Sequence, residues 1–337
     1  MRSHVYGLCF AEQLRRIPLT NSIETKSEYL DCLDLKMLNE AMRKCTLCPR
    51  LCMVDRLAGE RGYCGQTATL RVARAALHHW EEPCLSGTRG SGTVFFSGCN
   101  MRCIFCQNHE IAIGECGLSI TQNRLVEIFL ELQDKGAHNI NLVTPTHYIP
   151  QIALALTEAK KQGLILPIVY NTSGYEEVTS LQLLDGLIDI YLPDLKYYSP
   201  NTAQQYSNAP DYFEKASLAL AEMVRQVGCP SFDTQTGLML RGVIVRHLLL
   251  PGETKDSKKI LRYLHTTYGN DIYVSIMNQY TPLPHVAHIP ALSRRVTEEE
   301  YARVLHFAES IGIEQGFIQE GNTAEESFIP PFNYEGV

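Results

Sequence analysis

Short apolar runs alternate with helical patterns along the chain from about Gly92 onward. Between the first two runs, apolar residues recur at the spacing of one helix face, at Leu125, Ile128, Phe129 and Leu132. Six runs predict β-strands: Gly92–Ser97, Asn139–Val143, Pro167–Asn171, Ile188–Leu192, Leu240–Leu248 and Asp271–Met277. Strands that alternate with helices are typical of parallel β/α units, so the pattern predicts an α/β fold.

Six such strands fit a partial parallel barrel or an open doubly wound sheet, and periodicity alone does not choose between the two. Both folds bind ligands at the carboxyl ends of the strands, so the residues directly after each strand are candidates for a site. Residues 1–90 lack the alternation and predict an N-terminal extension. The core is then expected over 91–320, followed by an irregular tail over 321–337.

Composition narrows the class of protein. The chain has 337 residues, of which 45% are hydrophobic and 20% charged, as in a folded globular protein. No run approaches the roughly 18 apolar residues of a membrane span, and the first residues lack the apolar stretch of a signal peptide. A cytoplasmic location is therefore expected, and no membrane contact. The net charge of −7 argues against a nucleic-acid partner.

Cysteine is the most informative residue type, with 12 in the chain. In a reducing compartment so many cysteines indicate metal binding or catalysis rather than disulfides. Directly after the first predicted strand, Cys99, Cys103 and Cys106 form the pattern C-x3-C-x2-C. Three thiolates on so short a loop can ligate three corners of a [4Fe-4S] cluster and leave the fourth iron open for chemistry. A zinc knuckle or three buried thiols is the structural alternative.

With Gly98 before the first cysteine, Phe105 before the third and Asn108 after it, this segment resembles the radical S-adenosylmethionine (SAM) enzymes. Within that superfamily it looks most like the pyruvate formate-lyase-activating enzymes and their relatives. The resemblance implies an α/β fold with a partial parallel (β/α)6-type barrel, the radical SAM core, preceded here by a small N-terminal cysteine-rich module. It also implies that the three cysteines hold a [4Fe-4S] cluster, and that SAM on the open iron is cleaved to a 5′-deoxyadenosyl radical.

The resemblance further implies cofactor contacts at the strand ends. The family's Gly-Gly-Glu motif is absent after the second strand, where the hydroxyls of Thr144 and Thr146 are the candidates for its role. Segments after the third and fourth strands correspond to those that bind the methionine end of SAM and a monovalent cation. The residues assigned to cofactor binding are Phe105, Asn108, Thr144, Thr146, Asn171, Thr172, Asp194, Lys196 and Arg246. Turns, a solvated loop and ordinary strand-end packing are the alternative explanations for them.

A second group of cysteines lies nearer the N-terminus. Cys45, Cys48, Cys52 and Cys64 form the pattern C-x2-C-x3-C-x11-C within residues 45–64. Four thiolates so close together, with several glycines to turn the chain, predict a closed tetrathiolate metal site. Zinc and an auxiliary iron-sulfur cluster are both compatible with four sulfur ligands.

The resemblance implies an activase, which takes hydrogen from a glycine of a glycyl-radical enzyme partner. Such chemistry requires a low-potential electron donor of the flavodoxin or ferredoxin type and an anaerobic cytoplasm. The same radical could instead modify a peptide, an RNA or a small molecule. A non-catalytic zinc or iron-sulfur binding module is the alternative from another class.

Overall fold

The computed structural model describes residues 35–319 and 330–337. The first 34 residues of the predicted extension, residue 320 at the end of the predicted core and residues 321–329 of the predicted tail lie outside the described residues. The strands are β1 Arg71–His78, β2 Ser91–Phe96, β3 Leu118–Ser119, β4 Ile140–Val143, β5 Ile168–Thr172, β6 Ile190–Pro193, β7 Ser231–Phe232, β8 Met239–Leu248, β9 Tyr273–Met277 and β10 Gly316–Ile318. The helices are α1 Leu35–Arg43, α2 Pro83–Ser86, α3 His109–Ala112, α4 Gln122–Asp134, α5 Ile149–Lys161, α6 Val178–Gln182, α7 Pro200–Ser207, α8 Tyr212–Val227, α9 Thr254–Tyr268 and α10 Glu298–Ser310.

The sheet has the order β10-β9-β8-β6-β5-β4-β2-β1-β3, with β7 paired to β8. All six predicted strands are confirmed, as β2, β4, β5, β6, β8 and β9, and neighbours from β2 to β10 are parallel. A doubly wound sheet reverses its strand order at a switch point, whereas these parallel strands follow chain order without a reversal. The α/β fold with a mostly parallel sheet is therefore confirmed, and it is consistent with a partial barrel.

Helix α4 confirms the helix that the apolar periodicity predicts between β2 and β4. Its N-cap Thr121 accepts a hydrogen bond from the Arg124 backbone N–H, which satisfies one of the unpaired donors of the first turn. The residues predicted to share one face, Leu125, Ile128, Phe129 and Leu132, are all buried. Helix α10 likewise begins at a capping box formed by Thr297 and Glu300.

Strand β1 lies inside the predicted extension and is antiparallel to β2, with Ala75 opposite Val94. Part of the predicted tail then pairs with β1: the Ala75 N–H donates to the Glu335 carbonyl at 2.8 Å, and the Tyr334 N–H donates to the Ala73 carbonyl at 3.2 Å. Residue 90, the predicted domain boundary, thus falls between two paired strands. Strand β1 is not among the strands predicted from the apolar runs.

Residues 79–90, which connect β1 to β2, form a segment that we call the plug. Its helix α2 buries Cys84 and Leu85 in a small apolar core with Val169, Ile190 and Ile244 from the parallel strands. The Asn139 side-chain amide donates to the Leu85 carbonyl at 2.8 Å, so the backbone of the plug is also held to the sheet. Because Val169 and Asn171 share one face of β5, the plug packs on the face that encloses the site described below.

Two expectations drawn from composition can be compared with the fold. None of the helices in the described ranges is long and apolar enough to cross a membrane. Cys229, which lies outside both cysteine groups, is disulfide-bonded, contrary to the expectation that cysteines of this chain are not used in that way.

Candidate active site

The three cysteines of the C-x3-C-x2-C pattern lie on the loop that follows β2, at the carboxyl end of that strand. The Met101 backbone N–H donates to the Cys99 sulfur at 3.3 Å, and the Ser207 hydroxyl donates to the Cys103 sulfur at 2.9 Å. A turn closed by the Cys106 N–H and the Cys103 carbonyl at 3.1 Å shapes the second half of the loop. The loop thus directs hydrogen-bond donors at its sulfur atoms.

These thiols lie close enough together to affect one another's pKa values. Burial raises the pKa of Cys99 to about 11, with a further contribution from Cys103. Burial also raises the pKa of Cys106 to about 12, and both other cysteines add to the effect. The Lys196 ammonium opposes both shifts. The loop therefore holds three neighbouring thiols, of which Cys103 is buried and Cys99 and Cys106 are half-buried, with one cation close to them.

Phe105 lies within this loop and is only 6% exposed. Its ring meets three tyrosine rings nearly edge-on, with centroid distances of 6.4 Å to Tyr197, 6.2 Å to Tyr206 and 6.2 Å to Tyr280. Edge-to-face aromatic pairs at this distance add to ordinary apolar burial. In this structure Phe105 anchors the cysteine loop to helix α7, through Tyr206, and to the segments that follow β6 and β9.

A cavity of about 330 Å³ opens at the carboxyl ends of the strands, next to the cysteine loop. It combines amide, charged and aromatic side chains from the loop, from the strand ends, from β1 and the plug, and from the C-terminal part of the chain. Its lining residues are His78, Trp80, Glu81, Phe95, Gln107, Asn108, Val143, Asn171, Arg246, Gln279, Gln319 and Pro330. The volume is within the usual range for a site that binds a small molecule.

Arg246 is the centre of a charged network in this cavity. Its guanidinium lies 3.1 Å from the Asp194 carboxylate and 3.3 Å from the Glu81 carboxylate, and it donates to the Asn171 side-chain oxygen at 2.6 Å. Lys196 contacts the other oxygen of Asp194 at 2.5 Å. Since Lys196 also lies near the cysteines, the network extends from the cysteine loop to the plug.

The pKa values in this network follow from burial and charge. Burial raises the pKa of Glu81 and of Glu82, and the Arg246 guanidinium opposes both shifts. Burial also acts to raise the pKa of Asp194, yet the cations Lys196 and Arg246 together hold it below the usual range. The two cations thus favour the ionised form of Asp194.

The structure brings together some of the predicted cofactor residues. Asn108, Asn171 and Arg246 line the cavity, and Asp194 and Lys196 join it through the charged network. The side chains of Lys196 and Arg246 each pair with one oxygen of the Asp194 carboxylate. The site for a monovalent cation stays a prediction.

The predicted threonines have another partner. The hydroxyls of Thr146 and Thr172 both donate to the carboxylate of Glu176, which is buried. Burial raises the pKa of Glu176 to about 7, although the two threonines and Tyr170 oppose the shift. Thr144 adopts a left-handed backbone conformation, with φ of 57°. The cofactor contacts of these threonines stay predictions.

The N-terminal cysteines also lie close together. Burial raises the pKa of Cys48 and of Cys64, and in each case neighbouring cysteines of the group contribute. The Tyr63 backbone N–H donates to the Cys52 sulfur at 3.2 Å. Nowhere in residues 35–319 and 330–337 do three or more His, Cys, Asp or Glu side chains surround one point as single-ion ligands would. The metal of this group stays a prediction.

The two cysteine groups are in direct contact through their backbones. A Cβ at Gly98 would lie 2.8 Å from the Cys64 carbonyl oxygen, and φ at Gly98 is 88°, so this position requires glycine. Arg50 donates to the Asn100 carbonyl at 2.8 Å and to the Ser207 carbonyl at 2.9 Å. The N-terminal module is therefore packed against the C-x3-C-x2-C loop.

Sequence reasoning missed the contribution of β1 and the plug. His78, Trp80 and Glu81 all line the cavity, yet no motif or periodicity marks them. Their one unusual feature is that the single tryptophan of the chain precedes two consecutive glutamates. That feature alone does not say that the segment enters the site, because entry depends on the pairing of β1 with β2.

Several solved structures resemble this one. SuiB of Streptococcus suis bound to the precursor peptide SuiA matches with a TM-score of 0.45 and 13% identity, over 66% of this chain and 46% of that one. Methylornithine synthase matches with a TM-score of 0.47 and 16% identity, over 85% of this chain and 70% of that one. This chain thus spans about half the length of SuiB. With TM-scores below 0.5, neither structure indicates the function of this chain.

Sequence comparison is more informative. An uncharacterized protein of Methanocaldococcus jannaschii is 27% identical over 315 residues, which cover 89% of this chain and 86% of that protein. The family model of the radical SAM superfamily matches residues 93–264, just over half of the chain. The matched region begins in β2 and contains all three cysteines of the C-x3-C-x2-C loop. These findings support the superfamily and not the activating-enzyme branch within it. This chain belongs to the radical SAM superfamily.

Proposed function

We propose that Cys99, Cys103 and Cys106 hold the [4Fe-4S] cluster that membership of this superfamily implies, and that the adjoining cavity receives SAM and a substrate. One observation carries the proposal. The three thiols are neighbours, one buried and two half-buried, on the loop at the carboxyl end of a parallel strand, beside a cavity lined by Asn108 of the same loop. This is the end of a β/α barrel at which active sites lie.

The donor set fits such a cluster. Thiols with raised pKa values are protonated at neutral pH, so loading with iron must release protons. Lys196 and the Ser207 hydroxyl lie where they stabilise the thiolate charge. In a cubane cluster each thiolate binds a different iron, so the three sulfur atoms need not surround a single point.

The bound cluster and SAM supply the reductive cleavage that produces a 5′-deoxyadenosyl radical. The part of this chain's own residues is to bind SAM and the substrate and to orient them. Lys196 and Arg246 offer positive charge suited to a carboxylate, and the amides of Gln107 and Asn108 offer donors and acceptors at the wall nearest the loop.

For the substrate, the sequence resemblance supports hydrogen abstraction from a glycine of a glycyl-radical enzyme, with a flavodoxin- or ferredoxin-type electron donor in an anaerobic cytoplasm. Support for this finer assignment comes from Gly98, Asn108 and the Asp194 to Lys196 segment. A peptide, RNA or small-molecule substrate, or a non-catalytic metal-binding module, is the alternative. A gene for a glycyl-radical enzyme beside the gene for this chain would favour the activase.

A second metal at Cys45, Cys48, Cys52 and Cys64 is part of the proposal. The proximity of these thiols to one another supports it, and zinc and an iron-sulfur cluster remain the two candidates. Metal analysis separates them, since about four irons and one zinc per chain indicate zinc, whereas about eight irons indicate a second cluster.

The test is 5′-deoxyadenosine formation by anaerobically reconstituted protein with SAM and a strong reductant. We expect product from the wild type and from Cys116→Ala, a matched control at a cysteine outside both groups. We expect only background from Cys106→Ala, together with loss of iron. Equal product from Cys106→Ala would refute the ligand assignment. Absence of product from wild-type protein that carries its cluster would favour the non-catalytic module.

A further inference from the structure

The plug brings two carboxyl groups into the site from outside the region that the family model matches. Glu81 lines the cavity, and its carboxylate accepts from the Asn141 amide at 3.0 Å as well as pairing with Arg246. Glu82 is 8% exposed and also lies within the field of Arg246. Both glutamates precede residue 93, where the match begins.

Charge in this network does not balance. Three carboxyl groups, Glu81, Glu82 and Asp194, share two cations, Arg246 and Lys196. With all groups ionised, one negative charge is left over in a buried setting, where an uncompensated charge is costly. One further cation in the cavity would balance the set.

Two polar atoms next to this network have no hydrogen-bond partner. They are the Oε2 atom of Glu82 and the Oδ1 atom of Asn141, and both are buried. Neither residue lines the cavity, whereas Glu81, which accepts from the Asn141 amide, does. The carboxylate that a ligand in the cavity can reach is therefore that of Glu81.

Aromatic groups line the same cavity. Trp80, the residue before Glu81, is 64% exposed and lines the cavity together with Phe95. The face of an aromatic ring, and that of tryptophan most strongly, attracts ammonium and guanidinium groups. The Glu81 carboxylate, which belongs to a network with more carboxyl groups than cations, and the aromatic rim are two separate features of the cavity wall that suit a cation with N–H donors.

We infer that the cavity binds a substrate through an ammonium or guanidinium group, which Glu81 holds beside Arg246. The inference rests on the proposed function in taking this cavity as the active site. It names the substrate class at that site: molecules with a positively charged nitrogen. SAM also carries an amino group, so the experiment must separate the substrate from the cofactor.

The test measures binding directly and needs no reductant, so it is independent of SAM cleavage. The probe is agmatine, which carries a guanidinium and an ammonium group, and succinate is its anionic counterpart. The fluorescence of Trp80, the single tryptophan, reports occupancy of the cavity in the cluster-loaded protein, and calorimetry supplies the affinity. Titrations are repeated with SAM at saturation.

We expect agmatine but not succinate to bind the wild type, with and without SAM. Affinity should fall about tenfold or more in Glu81→Gln, because a hydrogen bond to a charged group is lost, and should be retained in Glu314→Gln, a matched change at an exposed carboxylate. Preference for succinate, or unchanged affinity in folded Glu81→Gln, would overturn the inference. So would displacement of agmatine by SAM, which would assign the cation site to the cofactor. Should Glu81→Gln not fold, the wild-type comparison of agmatine with succinate decides.

Discussion

Two walls of the cavity differ in how they are built. The first consists of the parallel strands and the cysteine loop, which supply Asn108, Asn171 and Arg246. The second consists of β1 and the plug, which supply Trp80 and Glu81. Asn171 and Arg246 lie near the carboxyl ends of their strands, Asn108 lies on the loop after β2, and all three belong to recognisable motifs. Those of the second wall reach the site only because an antiparallel strand and a short helix are inserted before the barrel.

The difference suggests how a reaction common to a superfamily can be combined with a substrate that is specific to one member. On the proposed function, radical generation depends on the first wall, whose residues lie within the region that the family model matches. The second wall lies before that region and faces the same cavity from the other side. Recognition of the substrate can therefore vary through the plug without disturbance of the cysteine loop.

The strongest test of the comparison is removal of the residue that joins the two walls. In Arg246→Met, Glu81 and Asp194 lose a shared cation, and breaking a buried ion pair on one side costs about 4 kcal/mol of unfolding free energy. Chemical denaturation at pH 7 measures the loss. Arg303→Met is the control, because Arg303 is 52% exposed and pairs with an exposed glutamate.

The loss in Arg246→Met should also depend on pH. The folded-state pKa values of Glu81 and Glu82 are already raised, and without the guanidinium they rise further. A carboxyl group with a raised folded pKa favours the folded state as pH falls through that value. The deficit relative to wild type should therefore shrink from pH 8 to pH 5. A deficit that grows toward pH 5 would contradict the charge assignment.

The next largest loss of unfolding free energy is expected from a cavity created in the plug. Leu85 is fully buried against the parallel strands, so Leu85→Ala should lower the unfolding free energy by about 3 kcal/mol. Leu218→Ala, at a leucine that is 53% exposed, should change it by no more than about 0.5 kcal/mol. Denaturant titration compares the two. A small effect of Leu85→Ala would mean that the second wall is a loosely attached loop rather than part of the core.

The smallest effect concerns the C-terminal residues on β1. Arg74 and Glu335 form an ion pair at 2.7 Å, and Glu335 is 52% exposed. Glu335→Gln should cost about 0.5 kcal/mol, as is usual for an exposed pair. In 1 M salt, where the screening length is about 3 Å, the difference from wild type should disappear. A loss that persists at high salt would show that the contact is not mainly electrostatic.

Much of the fold could be predicted from the sequence. The six parallel strands follow from apolar runs, and helices α4 and α10 follow from periodicity and capping residues, because these signals are local. Strands β1, β3 and β10 have shorter or more mixed patterns, and their places depend on partners distant in the chain. The tail was predicted as irregular because its pairing with Ala73 and Ala75 has no local cause.

The candidate site could be predicted only in part. The cysteine pattern and Arg246 were found because their spacing and strand-end positions carry information without knowledge of the fold. Glu81 could not be found, since its role requires that the plug enter the barrel. Thr146 and Thr172 stand at the expected strand ends, yet their hydroxyls donate to Glu176, a carboxyl group that no motif indicated.

The hydrogen bonds between β1 and the C-terminal residues bear on how the protein matures. Arg74 contacts the Pro331 carbonyl across 257 positions of sequence, a separation that makes this contact late in folding. On the ribosome, the outer edge of β1 beyond its two-residue pairing with β3 therefore stays unpaired until residues 331–336 have emerged. Strand edges left open in this way are sites of aggregation, so synthesis rate and chaperone supply should influence the yield of folded protein.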